Sequence, residues 1–102
     1  YAGEFARTGF QGGLNWYRCR FEPRFTAEQQ LHAGRTIDIP AMFLAGRHDW
    51  GIQQSPGALA RMQQRAFTNM GPPVLIDGAG HWVQQEQPQA VAVALLAFLG
   101  RI

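Results

Sequence analysis

Ala41-Met42-Phe43-Leu44-Ala45-Gly46-Arg47-His48-Asp49 and Val74-Leu75-Ile76-Asp77-Gly78-Ala79-Gly80-His81 follow one plan: a short apolar run, a glycine stop and an ionisable residue just beyond it. The first run, Ala41–Ala45, is introduced by Pro40 and ended by Gly46, and the second, Val74–Ile76, is cut off by Gly78 and Gly80. Between them, Pro56–Ala66 has the pattern of a helix with proline at a permitted N-terminal position, and Gly71-Pro72-Pro73 forbids its continuation. Two short strands joined by a helix make a βαβ unit, which requires parallel strands and a right-handed crossover. In a parallel sheet the loops after the strands leave from one edge, the carboxyl edge, where ligands of open α/β sheets bind. Asp49 and His81 therefore reach the same rim, on strands about 5 Å apart if they are neighbours.

Downstream, Pro88–Leu99 reads as a last helix with Gly100 as its C-terminal stop. Its apolar run Ala90–Leu99 is about half of the roughly 20 residues needed to cross a bilayer. The run is apolar nearly all round, so the helix has to be covered on more than one side. Two parallel strands do not make a stable layer by themselves. The expected fold is thus α/β, the C-terminal portion of a longer domain. Upstream of residue 36 the texture differs: Tyr1–Arg7 reads as a helix end, Thr8–Gly13 as a glycine-broken turn and Leu14–Phe21 as a short helix. Residues 1–35 form a helical lid or accessory segment on this reading, and 36–102 the α/β part.

The composition narrows the function. With 46% hydrophobic and 16% charged residues among 102, the chain is suited to burying a core rather than to disorder. All nine basic residues are arginines, spread along the chain, and the net charge is only +2. A nucleic-acid partner would need a basic stripe or a reading module, and neither is visible. The one cysteine, Cys19, has no partner for a disulfide or a zinc site, which favours a reducing, cytoplasmic setting, and the short apolar run at 90–99 leads to the expectation of a soluble protein without membrane association. The three histidines are not spaced as metal ligands.

Each candidate side chain has a chemical and a plain reading. Asp49 can hold an imidazole in one tautomer, as the acid of a triad does, or it can cap the turn that follows. His81, set after two glycines at a strand end, suits a general base. His32, His48, Asp38 and Asp77 are read as surface or turn residues. Tyr17, in Leu14-Asn15-Trp16-Tyr17-Arg18, is a packing aromatic on a short helix or a phenol able to donate to an oxyanion. Phe10, Trp16, Phe21, Phe25, Trp50 and Trp82 are packing residues first and pocket walls second.

Two longer segments carry a family resemblance. Thr8-Gly9-Phe10-Gln11-Gly12-Gly13-Leu14-Asn15-Trp16-Tyr17-Arg18 resembles the cap segment of α/β-hydrolase-fold epoxide hydrolases. Gly80-His81-Trp82-Val83-Gln84-Gln85-Glu86-Gln87-Pro88 resembles their catalytic-histidine segment, and Ile39–Gly46 with Asp49 the strand and loop of their acid. The resemblance covers nearly the whole chain in the family's order. It implies residues 1–35 as the end of the helical cap and 36–102 as the C-terminal part of the core. It implies hydrolysis of a small apolar epoxide to a vicinal diol, without cofactor or metal, through an ester to an aspartate nucleophile. Tyr17 would be one of two cap tyrosines, Asp49 the orienting acid, His81 the base and Trp82 a substrate-contacting wall.

No Gly-x-Asp-x-Gly or Gly-x-Ser-x-Gly elbow occurs in these residues, so the nucleophile and the second tyrosine are expected in an N-terminal part and the chain alone is expected to be inactive. Two other readings remain at this point. One is a haloalkane or haloacid dehalogenase of the same fold. The other is a non-catalytic piece whose apolar helix and open sheet edge are covered by a second copy.

Overall fold

Strands β1 (Leu44–Gly46) and β2 (Val74–Ile76) pair in parallel, with Leu44 opposite Val74, Ala45 opposite Leu75 and Gly46 opposite Ile76, in the computed structural model, which describes residues 1–102. The pairing extends beyond these six residues as separate contacts. Ile37 donates to the carbonyl of Ala66 at 2.8 Å, and Ala41 donates to that of Asn69 at 2.9 Å. Continuous strand begins only at Leu44, not at Ala41 as the apolar run implied, because Pro72 and Pro73 lack the amide donors a ladder needs opposite it. It ends on Gly46, one residue later than expected. A Cβ at Gly46 would run into the carbonyl oxygens of Gly80 and Ala79, so only glycine lets the following loops approach so closely.

Helix α4 spans Ala58–Arg65 and is shorter than the 56–66 expected. Gly57 precedes it at φ 75°, a left-handed conformation that cannot belong to the helix, and Pro56 lies outside it, its carbonyl accepting from Arg61 at 3.0 Å. Two short elements escaped the sequence pattern: a 3₁₀ turn at Trp50–Gln53 and the single turn α5 at Val83–Glu86. Helix α6, Pro88–Leu99, has the expected bounds and packs against β2 and α5. Gly100 is the stop expected of it, in a right-handed conformation at φ −73°. The Gly100 and Arg101 amides donate to the carbonyls of Leu96 and Phe98.

These elements form one compact unit, Thr36–Ile102. Its buried apolar residues are Ala45 in β1, Ala79 in the loop after β2 and Val83 on α5, while Val93, Leu96 and Leu99 on α6 are exposed. The parallel sheet, which such folds bury on both faces, thus has a minimal core between β1, the loop after β2 and α5. No helix is long and apolar enough to cross a membrane.

Tyr1–Arg35 forms the second compact unit. It contains α1 (Ala2–Thr8), α2 (Gln11–Phe21), a 3₁₀ turn at Pro23–Phe25 and α3 (Thr26–Gln29). The expected six-residue turn shrinks to Gly9 and Phe10. Gly9 takes φ 70°, Phe10 stacks on Phe5 with ring centroids 4.8 Å apart, and Gly12 and Gly13 lie inside α2. Within this unit Phe10, Trp16, Tyr17 and Phe21 are exposed. Helices of seven, eleven and four residues offer too little surface to enclose them. Phe25 is half-buried, with the Arg24 guanidinium 4.6 Å above its ring.

Candidate active site

The loops after β1 and β2 are stitched to one another before either reaches its ionisable residue. Arg47 donates its amide to the carbonyl of Ile76 at 2.9 Å, and His48 donates to that of Ala79 at 3.0 Å. The Arg47 guanidinium also pairs with the Asp77 carboxylate across the strand ends. Parallel register and these bonds bring Asp49 and His81, 32 residues apart, to one place. His81 Nδ1 lies 3.0 Å from Asp49 Oδ1, and the same oxygen accepts the amide N–H of Gly51 at 2.7 Å. The two readings of Asp49 are therefore both satisfied: it caps the Trp50–Gln53 turn and it holds an imidazole.

The Asp49 side chain is only 12% exposed, against 50% for His81. Burial works against a charge on Asp49. It is outweighed by the Gly51 amide, then by the hydrogen bond and the charge of His81, which together hold the carboxyl below its ordinary pKa. An ionised carboxylate requires a proton on the nitrogen it faces. The neutral imidazole is thereby fixed as the Nδ1–H tautomer, with Nε2 carrying the lone pair.

Two indoles flank this ring. Trp50 stacks on the imidazole with centroids 5.5 Å apart and an interplanar angle of 27°, and Trp82 meets it edge-on at 5.3 Å and 73°. The position of Trp50 was legible only as an aromatic beside Asp49. Glu86 was read only as part of the segment that resembles the catalytic-histidine stretch and was given no role, yet its two oxygens accept the amides of Gly80 and Trp82 at 2.8 and 2.9 Å. Its signal in the sequence is an acidic residue four positions after Trp82, which alone reads as ordinary first-turn chemistry.

The remaining candidates lie elsewhere. Tyr17 belongs to the first unit, on α2, with its side chain exposed. Cys19 is an exposed free thiol on the same helix. His32 and Asp38 are exposed and make no side-chain hydrogen bond, and His48 contributes only its backbone to the site. No group of three or more His, Cys, Asp or Glu side chains is placed to hold a metal ion.

A parallel strand pair that delivers an acid and a hydrogen-bonded imidazole from successive strand-end loops, followed by a long C-terminal helix, is the closing portion of an α/β-hydrolase fold. No family model matches the chain. It is 48% identical over 101 residues to epoxide hydrolase A of Mycobacterium tuberculosis, an alignment covering 97% of this chain and 29% of the relative. Its fold superposes on epoxide hydrolase A of Mycobacterium thermoresistibile with a TM-score of 0.75 and 47% identity, over 95% of this chain and 29% of that one. On potato (Solanum tuberosum) epoxide hydrolase I the TM-score is 0.82 at 26% identity, over 100% of this chain and 32% of that one. The chain spans about three-tenths of the length of the curated relatives it matches. In sequence and in fold it corresponds to the C-terminal part of an epoxide hydrolase of the α/β-hydrolase fold.

Proposed function

We propose that the chain supplies the orienting acid, the general base and a cap tyrosine of an enzyme that hydrolyses a small apolar epoxide to a vicinal diol. The observation that carries this reading is the 3.0 Å contact between His81 Nδ1 and Asp49 Oδ1 at the carboxyl edge of a parallel strand pair. It is supported by the names of the relatives, which match over nearly the whole chain. On this reading residues 1–35 are the end of the cap and 36–102 the end of the core.

In the first half-reaction a carboxylate outside this chain attacks an epoxide carbon. The C–O bond breaks and the departing oxygen takes a proton or hydrogen bond from a phenol, the role proposed for Tyr17. In the second, His81 Nε2 removes a proton from water as the water oxygen bonds to the ester carbonyl carbon. The imidazolium so formed is stabilised by Asp49, whose lowered pKa keeps it ionised. Collapse of the tetrahedral adduct then expels the diol oxygen, which recovers the proton from His81, and the proton left on the released carboxylic acid returns to the phenolate, restoring both groups. Trp82, at the edge of the imidazole, is proposed as a wall against the apolar substrate.

The test is to express the full reading frame that contains this chain and to supply an aryl epoxide. Diol formation, abolished by His81→Ala with retention of a covalent ester, is expected. A well-folded product that forms neither diol nor ester would overturn the reading.

A further inference from the structure

We propose that Glu86 is a positioning residue for His81: it fixes the backbone on both sides of the imidazole and so sets the rate of ester hydrolysis. The proposal rests on the activity proposed above and extends it to a residue with no part in the chemistry itself. Oε2 of Glu86 accepts the amide N–H of Gly80 at 2.8 Å, and Oε1 accepts that of Trp82 at 2.9 Å. These are the two neighbours of His81 in the chain. One carboxylate thus brackets the base, and each bond is charge-assisted, hence shorter and stronger than one between neutral groups.

The surrounding backbone explains the need. Gly78 sits at φ 69° and Gly80 has no side chain to anchor it, so the backbone at His81 is held less by its own residues than is Ala79, which is buried and accepts from the His48 amide. The bond to Asp49 holds the imidazole at Nδ1 and does not fix the backbone that carries it. Glu86 closes α5, which carries the buried Val83 and packs on α6, so the clamp ties the loop to the helical layer. The return of an acidic side chain to the amide at the N-cap, Trp82, resembles half of a capping box placed one residue later. A helix needs one such bond. The second, to Gly80, lies beyond the helix and serves the loop.

A glutamine at this position keeps the shape but has one acceptor. Its NH₂ would face an amide N–H, donor against donor, on one side of His81. The misplacement falls on the step in which Nε2 must reach a water, whereas epoxide opening uses a different nucleophile. The two half-reactions therefore separate the effect from general damage.

The experiment measures ester formation by rapid-mixing burst kinetics and ester hydrolysis by single turnover, in the full reading-frame product with Glu86 and with Glu86→Gln. Hydrolysis is expected to fall by about 10- to 100-fold, as for a base displaced by a fraction of an ångström to 1 Å, with the burst rate unchanged. Hydrolysis at the unaltered rate, or equal loss in both half-reactions, would overturn the positioning role. If the parent protein forms no ester, the proposed activity itself fails, a result distinct from either. Should the glutamine variant not fold, Glu86→Asp, which keeps the charge but falls short of one amide, is read by the same split. Amide hydrogen exchange of the unaltered protein gives an independent measure. The Gly80 and Trp82 amides are expected to be protected, and free exchange at both would overturn the proposal.

Discussion

One oxygen of Asp49 serves two donors: Oδ1 accepts the Gly51 amide at 2.7 Å and faces His81 Nδ1 at 3.0 Å. The first bond is local and fixes the rotamer of the carboxylate. The second is long-range and uses the oxygen that the first aims across the strand ends. Turn chemistry and catalytic geometry are thus one arrangement, which is why the sequence supported both readings of Asp49 equally.

Asp49→Asn separates the charge from the shape. The amide carbonyl can still accept from Gly51, but a neutral partner no longer stabilises an imidazolium at His81. Ester hydrolysis is expected to slow by about 10²- to 10⁴-fold, by analogy with the uncharged acid of a serine-protease triad. Ester formation is expected to persist. Single-turnover measurement should show one equivalent of trapped ester, and turnover at the original rate would remove Asp49 from the mechanism.

Acid should weaken the same pair. Asp49 has a folded-state pKa below its ordinary value, so its ionised form contributes stability throughout the range above the ordinary carboxylate value. That contribution is lost as pH falls through the ordinary value and past the lower folded one. The difference in denaturation midpoint between the parent protein and Asp49→Asn is expected to be largest near neutrality and to shrink below about pH 4. A difference that is flat with pH would show that the carboxylate's charge contributes nothing to folding.

Glycine positions that look alike in sequence differ sharply in consequence. At Gly46 a Cβ would meet the backbone carbonyls of Gly80 and Ala79, and neither can move without disturbing the loop of His81. Gly46→Ala is expected to destabilise by about 1–3 kcal/mol, the usual range for overpacking. Gly13 lies in α2, where a Cβ would meet no atom outside the helix's own backbone within 4 Å. Gly13→Ala is expected to stabilise by about 0.5–1 kcal/mol through helix propensity. Urea midpoints of the two variants should therefore move in opposite directions, and a shift of the same sign in both would contradict the contacts described.

The α/β unit was legible because parallel strands carry continuous apolar runs with clear stops, and Val74–Ile76 and Pro88–Leu99 have the bounds their composition implied. The delivery of Asp49 and His81 to one rim followed from topology alone. What escaped the sequence depends on backbone geometry. Gly57 in a left-handed conformation shortens α4, Pro72 and Pro73 delay β1, and Gly12 and Gly13 join a helix where a turn was expected. Glu86 was hidden for a further reason: its two partners are main-chain amides, which no residue type announces.

Tyr17 bears on which bond is broken. Opening an epoxide leaves an alkoxide, poorly stable at neutral pH unless a donor meets it, whereas displacing a halide leaves an anion that needs no proton. If Tyr17 is that donor, Tyr17→Phe removes a phenol O–H and nothing else. Epoxide opening is expected to slow by about 10²-fold, a typical cost for losing one oxyanion donor, while hydrolysis of the ester already formed keeps its rate. The burst phase reports the first rate and single-turnover decay the second. This is the reverse of the split expected for Asp49→Asn, so the two variants together assign the phenol and the carboxylate to different half-reactions. An unchanged burst would take Tyr17 out of the oxyanion site and turn attention to alkyl halides, whose leaving group makes no demand on a phenol.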